Sequence, residues 1–355
     1  ADTVMSTSVD AYQEILAQAT KTASPVVIRG GGSKSFYGRP VDGQPLDVSA
    51  HAGIIDYSPP ELVVTARAGT LLSDLEAALA AENQMLAFEP PHFGPAATLG
   101  GAIACGLSGP RRPFSGAARD FVLGITCLNG RGELLRFGGQ VMKNVAGYDL
   151  SRTLAGSLGT LALLLEISLK VLPRAEHQLT LCRQATGAEA TGLFNLWAGR
   201  PLPLSAACHS DGRLYLRLSG FEHGVTAAAA ALGGDILEDD ETFWQGLREQ
   251  TLPFFAGDTP LWRISVPPAS APLSLAGDTL TDWGGAQHWV RTDQPARVVR
   301  EAAVAAGGHA TRFRDSNRDD VFHPLSYRML ALQQRLKASF DPAGILNPGR
   351  MYNGL

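Results

Sequence analysis

Apolar residues recur along the chain first at helical spacing and then in short extended runs. Val9, Tyr12, Leu16 and Ala19 fall on one face of a helix that Ser8 can cap and that runs to about Thr20. A buried-looking strand at 26–28 follows it, and another at 62–66 leads through Gly69 and Thr70 into a second helix. There Leu72, Leu75, Ala78 and Leu79 recur three and four residues apart, the mark of a stripe facing a core. Strands at 121–128 and 133–137 flank Asn129-Gly130, a strong hairpin signal, and are expected to complete a mixed sheet. From about His177 the rhythm changes to strand, helix, strand, strand, helix, with Asp211-Gly212 turning between strands at 206–209 and 214–218. Further strands at 262–266 and 288–291, and helices near 295–306 and 326–340, complete an α+β pattern.

The 355 residues exceed what one core usually serves and suggest two domains. A net charge of -4 and the lack of any basic run leave no field to attract nucleic acid. The most apolar stretch, 161–172, carries Glu166 and Lys170 and is too short to span a bilayer. No secretory leader is legible, so a cytoplasmic chain without direct membrane insertion is expected. Cys105, Cys127, Cys182 and Cys208 are scattered, with no CxxC pair for zinc or an iron-sulfur cluster; no metal is expected, and the cysteines read as buried thiols.

The chemistry concentrates in residues 26–38, VVIRGGGSKSFYG. A dinucleotide-binding unit or a P-loop needs a helix after its glycines, with the helix N-terminus on the phosphates. Here Gly38, Pro40, Gly43 and Pro45 forbid one, and the P-loop's glycine before lysine is missing. What remains is a loop able to take positive φ at Gly30, Gly31 and Gly32 and to turn successive amides toward one anion. The segment 97–109, ATLGGAIACGLSG, is almost wholly small side chains: Thr98 can cap a short helix, and Gly100, Gly101 and Ala104 would let a planar ring lie on backbone. Close helix packing is the alternative for that stretch, and the two segments together favour a bound planar group over it.

RGGGSKSFYG from Arg29, EPPHFGPAATLGGAIA from Glu89, GPRRPFSGAARDFVLG from Gly109, NVAGYDLSRTLAGSLGTLALLLEISLKVLP from Asn144 and FDPAGILNPGR from Phe340 occur in that order. On these segments the chain resembles the FAD-linked oxidases of the vanillyl-alcohol oxidase and p-cresol methylhydroxylase type. The resemblance implies a two-subdomain FAD-binding domain over 1–175, a small ferredoxin-like cap over 176–325, and a segment at 326–355 returning to the first domain. Within the family, GGGSKSFYG, GPRRP and KNVAGYDL are most similar to flavin subunits of bacterial glycolate oxidase complexes. That similarity implies oxidation of glycolate to glyoxylate beside a homologous larger flavin subunit and an iron-sulfur subunit. This chain would then relay electrons or support the assembly. The alternative is a self-sufficient FAD oxidase or dehydrogenase of another small hydroxy acid or sugar-type alcohol. Without a second redox centre in the chain, electrons from a reduced flavin would leave to oxygen, a quinone or another subunit.

Under this resemblance the amides of Gly30, Gly31, Gly32, Ser33, Lys34 and Ser35 bind the pyrophosphate, with the two serine hydroxyls as further donors and Lys34 as charge partner. A lone lysine such as Lys34 is otherwise a surface residue. Pro91, Thr98, Gly100, Gly101 and Ala104 are implied to line the ribityl chain and isoalloxazine, and Gly109 and Arg119 match further contact positions. For Arg119, an ion pair with Asp120 competes with that role. Gly156, Ser157, Gly159, Thr160 and Ile167 match the stretch around the adenosine half, where Leu158 and Ala162 depart from the family's Glu and Gly. Relatives with a histidyl flavin carry His where this chain has Ser33, so noncovalent FAD is implied. Oxidising a 2-hydroxy acid needs a cation for the carboxylate and a base for the hydroxyl. Arg111, Arg112, Arg263 and Arg350 can supply the first, but the GHxGDGN motif of hydroxy-acid relatives is absent; His309 in GGHATRF stands alone, and no catalytic base can be named.

Overall fold

The computed structural model describes residues 2–140 and 149–355; residues 144–148 of the resemblance lie outside them. The first half runs α1 (Asp2–Thr22), β1 (Val26–Arg29), β2 (Gln44–Asp47), β3 (Ile54–Ser58), β4 (Val63–Arg67), α2 (Leu72–Ala81), β5 (Gln84–Met85), α3 (Leu99–Cys105), α4 (Arg112–Ser115), β6 (Val122–Leu128), β7 (Leu134–Gly138), α5 (Leu150–Leu154), β8 (Leu163–Lys170) and β9 (Leu172–Pro173). Helix α1 starts ahead of the expected Ser8 cap, because residues 2–7 hold no Gly or Pro to stop it. No helix of the described residues is long and apolar enough to cross a membrane.

The expected single mixed sheet is three sheets among the described residues, the smallest being the antiparallel pair β5–β9. β1 and β2 form a parallel pair, while β3-β4-β8-β6-β7 is antiparallel throughout. β1 cannot join the larger sheet because residues 345–347 occupy its other edge: Val26 N donates to Ile345 O at 2.7 Å, and Ile28 N to Asn347 Oδ1 at 2.8 Å. The β6–β7 hairpin closes with Leu128 opposite Leu134, so its loop is 129–133 and not a two-residue Asn-Gly turn. Asn129 Oδ1 accepts from the amides of Arg131 and Glu133, at 2.9 and 3.0 Å, and it is Gly132 that takes positive φ. Leu72, Leu75 and Leu79 of α2 are fully buried against β4 and β8, as their spacing predicts.

The second half runs β10 (His177–Gln184), α6 (Gly187–Ala198), β11 (Leu204–Ser210), β12 (Arg213–Gly220), α7 (Glu222–Leu232), β13 (Asp235–Ile236), α8 (Asp240–Glu249), β14 (Leu261–Ser265), β15 (Asp278–Asp282), β16 (Gln287–Arg291), α9 (Ala296–Ala305), β17 (His309–Arg314) and α10 (Tyr327–Phe340). Among the described residues its strands form one sheet, β13-β10-β12-β11-β15-β16-β14-β17. The first four strands have ferredoxin-like order, and the last four repeat that order in reverse, so the cap is a tandem joined at the His209–Thr281 pairing. In the second half the segment 266–277, with Pro267, Pro268 and Pro272, replaces the first helix. One sheet face packs on helices, Phe194 and Val225 on Leu214 and Leu216, and Val299 on Ile264. The other face, with Ala206, Leu280, Trp289 and Phe313, packs on Tyr37, Leu107 and Leu158 of the first half. A site between the halves therefore has one wall of loops and one of sheet.

Candidate functional site

No helix follows the glycines, as expected, and residues 33–36 make a turn in which Ser35 N donates to Gly32 O at 3.1 Å and Tyr37 N to Lys34 O at 3.0 Å. Only Gly32 has positive φ, 72°. The other two glycines are required by crowding: a Cβ at Gly31 would lie 1.4 Å from Ala96 O, and one at Gly30 2.4 Å from Thr98 Oγ1. Packed this way, the loop leaves the amides of residues 30–34 without an acceptor among the described residues. Ser35, whose amide is taken, has only its hydroxyl to offer. A run of unpaired amides on a rigid support is an anion cradle.

Thr98 caps α3, its Oγ1 accepting from Gly101 N at 3.2 Å. Gly100 lets that helix sit on Ala68, the residue after β4, since a Cβ would come within 2.9 Å of Ala68 O. Together the loop and the small face of α3 enclose a cavity of about 290 Å³. The cavity contains Gly30, Gly31, Gly32, Ser33, Lys34, Ser35, Thr98, Gly100, Gly101, Ala104 and Gly159 of the expected residues. A second hollow shares Gly30, Gly31 and Thr98 on the far side of the loop. Leu158 and Ala162, the two departures from the family pattern, are on the cavity wall, as is half-buried Cys105. The other cysteines are buried.

The other expected residues lie elsewhere. Pro91 and Gly109 line a neighbouring hollow under the cap. Arg119 is exposed, and Asp120 accepts instead from Ala117 N at 2.8 Å. Ser157 and Thr160 spend their hydroxyls on Leu154 O and Ser157 O in the turn beneath the cavity, where Gly156 takes positive φ. The Ile167 side chain is in the core of the five-stranded sheet.

Positive charge gathers around the cradle. Arg318 donates to Ser35 O at 2.8 Å and Gly38 O at 2.7 Å, and Arg350 to Ser35 O at 3.1 Å. Burial holds both guanidiniums below the usual arginine range, and Arg318 with Arg29 adds to this at Arg350. Lys34 is buried and not at the surface; its Nζ donates to His92 O at 3.1 Å. Burial lowers its pKa, against the pull of Cys105 and Glu249. No carboxylate among the described residues lines the cavity. Arg318 and Asn347 had no signal in the sequence: their partners are 280 and 319 residues away.

The hollow under the cap is about 30 Å³ and contains Arg263, Asp282 and Gln250. Arg263 makes one side-chain hydrogen bond, to Tyr37 Oη at 3.0 Å. Asp282 is buried and, among the described residues, accepts from Trp283 N at 2.7 Å and Gln287 Nε2 at 3.4 Å. Burial, opposed by the Trp283 amide and Arg217 and helped by the charge on Glu89, pushes its carboxyl up to about 7.

The cradle fits a pyrophosphate: unpaired amides, two glycines where a Cβ would collide, and cations without carboxylates. Residues 3–138 match the FAD binding domain family, and residues 324–351 match the C-terminal domain of FAD linked oxidases. The chain is 52% identical to glycolate oxidase subunit GlcE of Escherichia coli over 342 residues, covering 96% of this chain and 97% of that one. It is 32% identical to an uncharacterized FAD-linked oxidoreductase of Mycobacterium tuberculosis, covering 96% of this chain and 88% of that one. Glycolate oxidase subunit GlcD of Bacillus subtilis matches at 32% identity over 48% of this chain and 37% of that protein. Among solved structures, an alkyldihydroxyacetonephosphate synthase superposes with a TM-score of 0.65 at 14% identity, over 95% of this chain and 73% of that one, a likeness of fold.

Proposed function

The chain belongs to the FAD-linked oxidase family that includes glycolate oxidase subunit GlcE, and from that premise we propose that it is the FAD-binding subunit of a complex oxidising glycolate to glyoxylate. The observation that carries this reading is the cradle at residues 30–35, in a chain similar to GlcE over nearly its whole length. FAD, when bound, supplies the acceptor for the electrons of an alcohol. The amides of residues 30–34 hold its pyrophosphate noncovalently, Arg318 and Arg350 fix the loop and offset the charge, and Thr98, Gly100, Gly101 and Ala104 let the cofactor lie on backbone. A division into an FAD-binding domain over 1–175, a cap over 176–325 and a returning segment at 326–355 is supported by the packing of Leu280, Trp289 and Phe313 on Tyr37, Leu107 and Leu158.

The partners are a homologous larger flavin subunit and an iron-sulfur subunit, in a cytoplasmic complex that touches a membrane only through another chain. The missing GHxGDGN motif supports a share in electron relay or assembly for this chain. The hollow holding Arg263 and Asp282 supports a second reading, in which this chain takes the hydroxy acid itself. Anaerobic mixing of the purified chain with glycolate, followed at ~450 nm where oxidised flavin absorbs, separates them. Flavin that dithionite bleaches and glycolate leaves yellow supports the relay share. Bleaching by glycolate alone overturns it. A purified chain without flavin overturns the whole reading.

A further inference from the structure

We propose that Lys34 tunes the reduction potential of the bound flavin, as a buried cation at the cap end of the cofactor cavity that favours the negative charge carried by the reduced ring system. The proposal rests on the reading of this chain as a FAD subunit, and not on which share of turnover it takes. The pyrophosphate has other cations: Arg318 and Arg350 donate to Ser35 O, and exposed Arg29 also lines the cavity. Lys34 is placed differently. Its Nζ donates to His92 O at 3.1 Å and Ser33 Oγ at 3.4 Å and lies 5.8 Å from the centre of the Phe93 ring. Phe93 lines the hollow under the cap, while Lys34 lines the cavity, so this amine marks where the two meet. A ring that exchanges electrons with a substrate or another subunit has to face that end. The cavity wall formed by Val48, Ala68, Ala162 and Leu164 is buried core.

The charge on Lys34 has no partner of its own. The residue is buried, and among the described residues no carboxylate is within ion-pair distance of its amine. Two of its three donors are used, both on neutral acceptors. Glu249 acts on it from farther off, but accepts from Arg248 Nε at 2.8 Å and from the amides of His92 and Phe93. Cys105, on the same cavity wall, is held as the neutral thiol by burial. Buried charges are normally paired. FAD that takes up two electrons and one proton carries one negative charge more than oxidised FAD, and a cation beside it in a water-poor cavity favours that form.

The test is the midpoint potential of the flavin in the purified, flavin-loaded chain at neutral pH, read by anaerobic reduction beside a reference dye. Lys34→Met and Lys34→Gln should make the two-electron reduction at least about tenfold less favourable, a potential about 30 mV lower, while Lys34→Arg stays near the unaltered protein. Sulfite adds to oxidised flavin and leaves a negative charge on the ring, so it should bind at least about tenfold more weakly to the same two variants. Lys34→Gln keeps a donor for His92 O and carries the test if Lys34→Met loses flavin. A potential that both variants leave unmoved, or an Arg variant that falls as far as they do, overturns the proposal. Loss of flavin from both, or weaker flavin binding at an unchanged potential, returns Lys34 to the pyrophosphate and overturns it as well. An unaltered chain that holds no flavin overturns the FAD reading, and the proposal with it.

Discussion

Replacing Asp282 by Asn should stabilise the protein at alkaline pH. The carboxyl, ordinarily ionised above 3.8, is held protonated up to about 7, chiefly by burial. Between those two values the folded chain keeps a proton that the unfolded chain has released, so stability falls as pH rises and the full penalty is present above 7. At 1.36 kcal/mol per pH unit the penalty is about 4 kcal/mol. Asn does not titrate, keeps an oxygen for Trp283 N, and removes the penalty, while Gln287 and the charges of Glu89 and Arg217 remain. Urea unfolding of both proteins at pH 4.5, 6 and 8, a series chosen to span about that window, should show a gap that is small in acid and reaches at least ~2 kcal/mol at the alkaline end. A gap that ignores pH, or an Asn variant less stable at pH ~8, would refute the claim that burial holds this carboxyl protonated.

Other substitutions probe the cradle and its supports. Gly31→Ala drives a Cβ to 1.4 Å from Ala96 O, backbone against backbone, so the loop must move and the purified protein should lose most of its flavin absorbance relative to protein absorbance; full flavin content would contradict the crowding argument. Arg318→Gln frees Gly38 O, leaves Ser35 O to Arg350 alone, and should weaken FAD binding about tenfold, measured by flavin fluorescence on dilution; unchanged affinity would show that Arg350 alone fixes the loop. Lys337→Met leaves Asp341 buried without its ion pair and should cost 3–5 kcal/mol, roughly, in urea unfolding; Lys337→Met with Asp341→Asn, which removes the charge and keeps an oxygen for the amides at 345 and 346, should recover part of the loss, and a double variant no better than the single one would refute the unpaired charge as the source of the cost.

Local features were legible and distant ones were not. The α2 stripe, the Thr98 cap and the helix-free glycine loop follow from spacing and side-chain type within a few residues. The reason for Gly30 and Gly31 was misplaced, because crowding by Ala96 and Thr98 belongs to tertiary packing and leaves no mark on the loop's own sequence. β15 and β17 went unread since DTLTD and HATRFR are half polar; neighbouring strands, and not periodicity, hold them extended. The tandem in the cap was hidden by its second copy's missing helix. Asp282 carries no local signal, as its unusual protonation comes from burial under residues on other elements.

Arg318 and Arg350 grip a loop made roughly 300 residues before them, and residues 345–347 close the edge of β1. On a ribosome that extends the chain from its N-terminus, the glycine loop emerges long before the groups that hold it in shape. A chain that stops before residue 345 lacks both the arginine that braces the loop at Ser35 O from beyond α10 and the segment that closes β1, so the cradle is expected to take its shape only once these residues have been made.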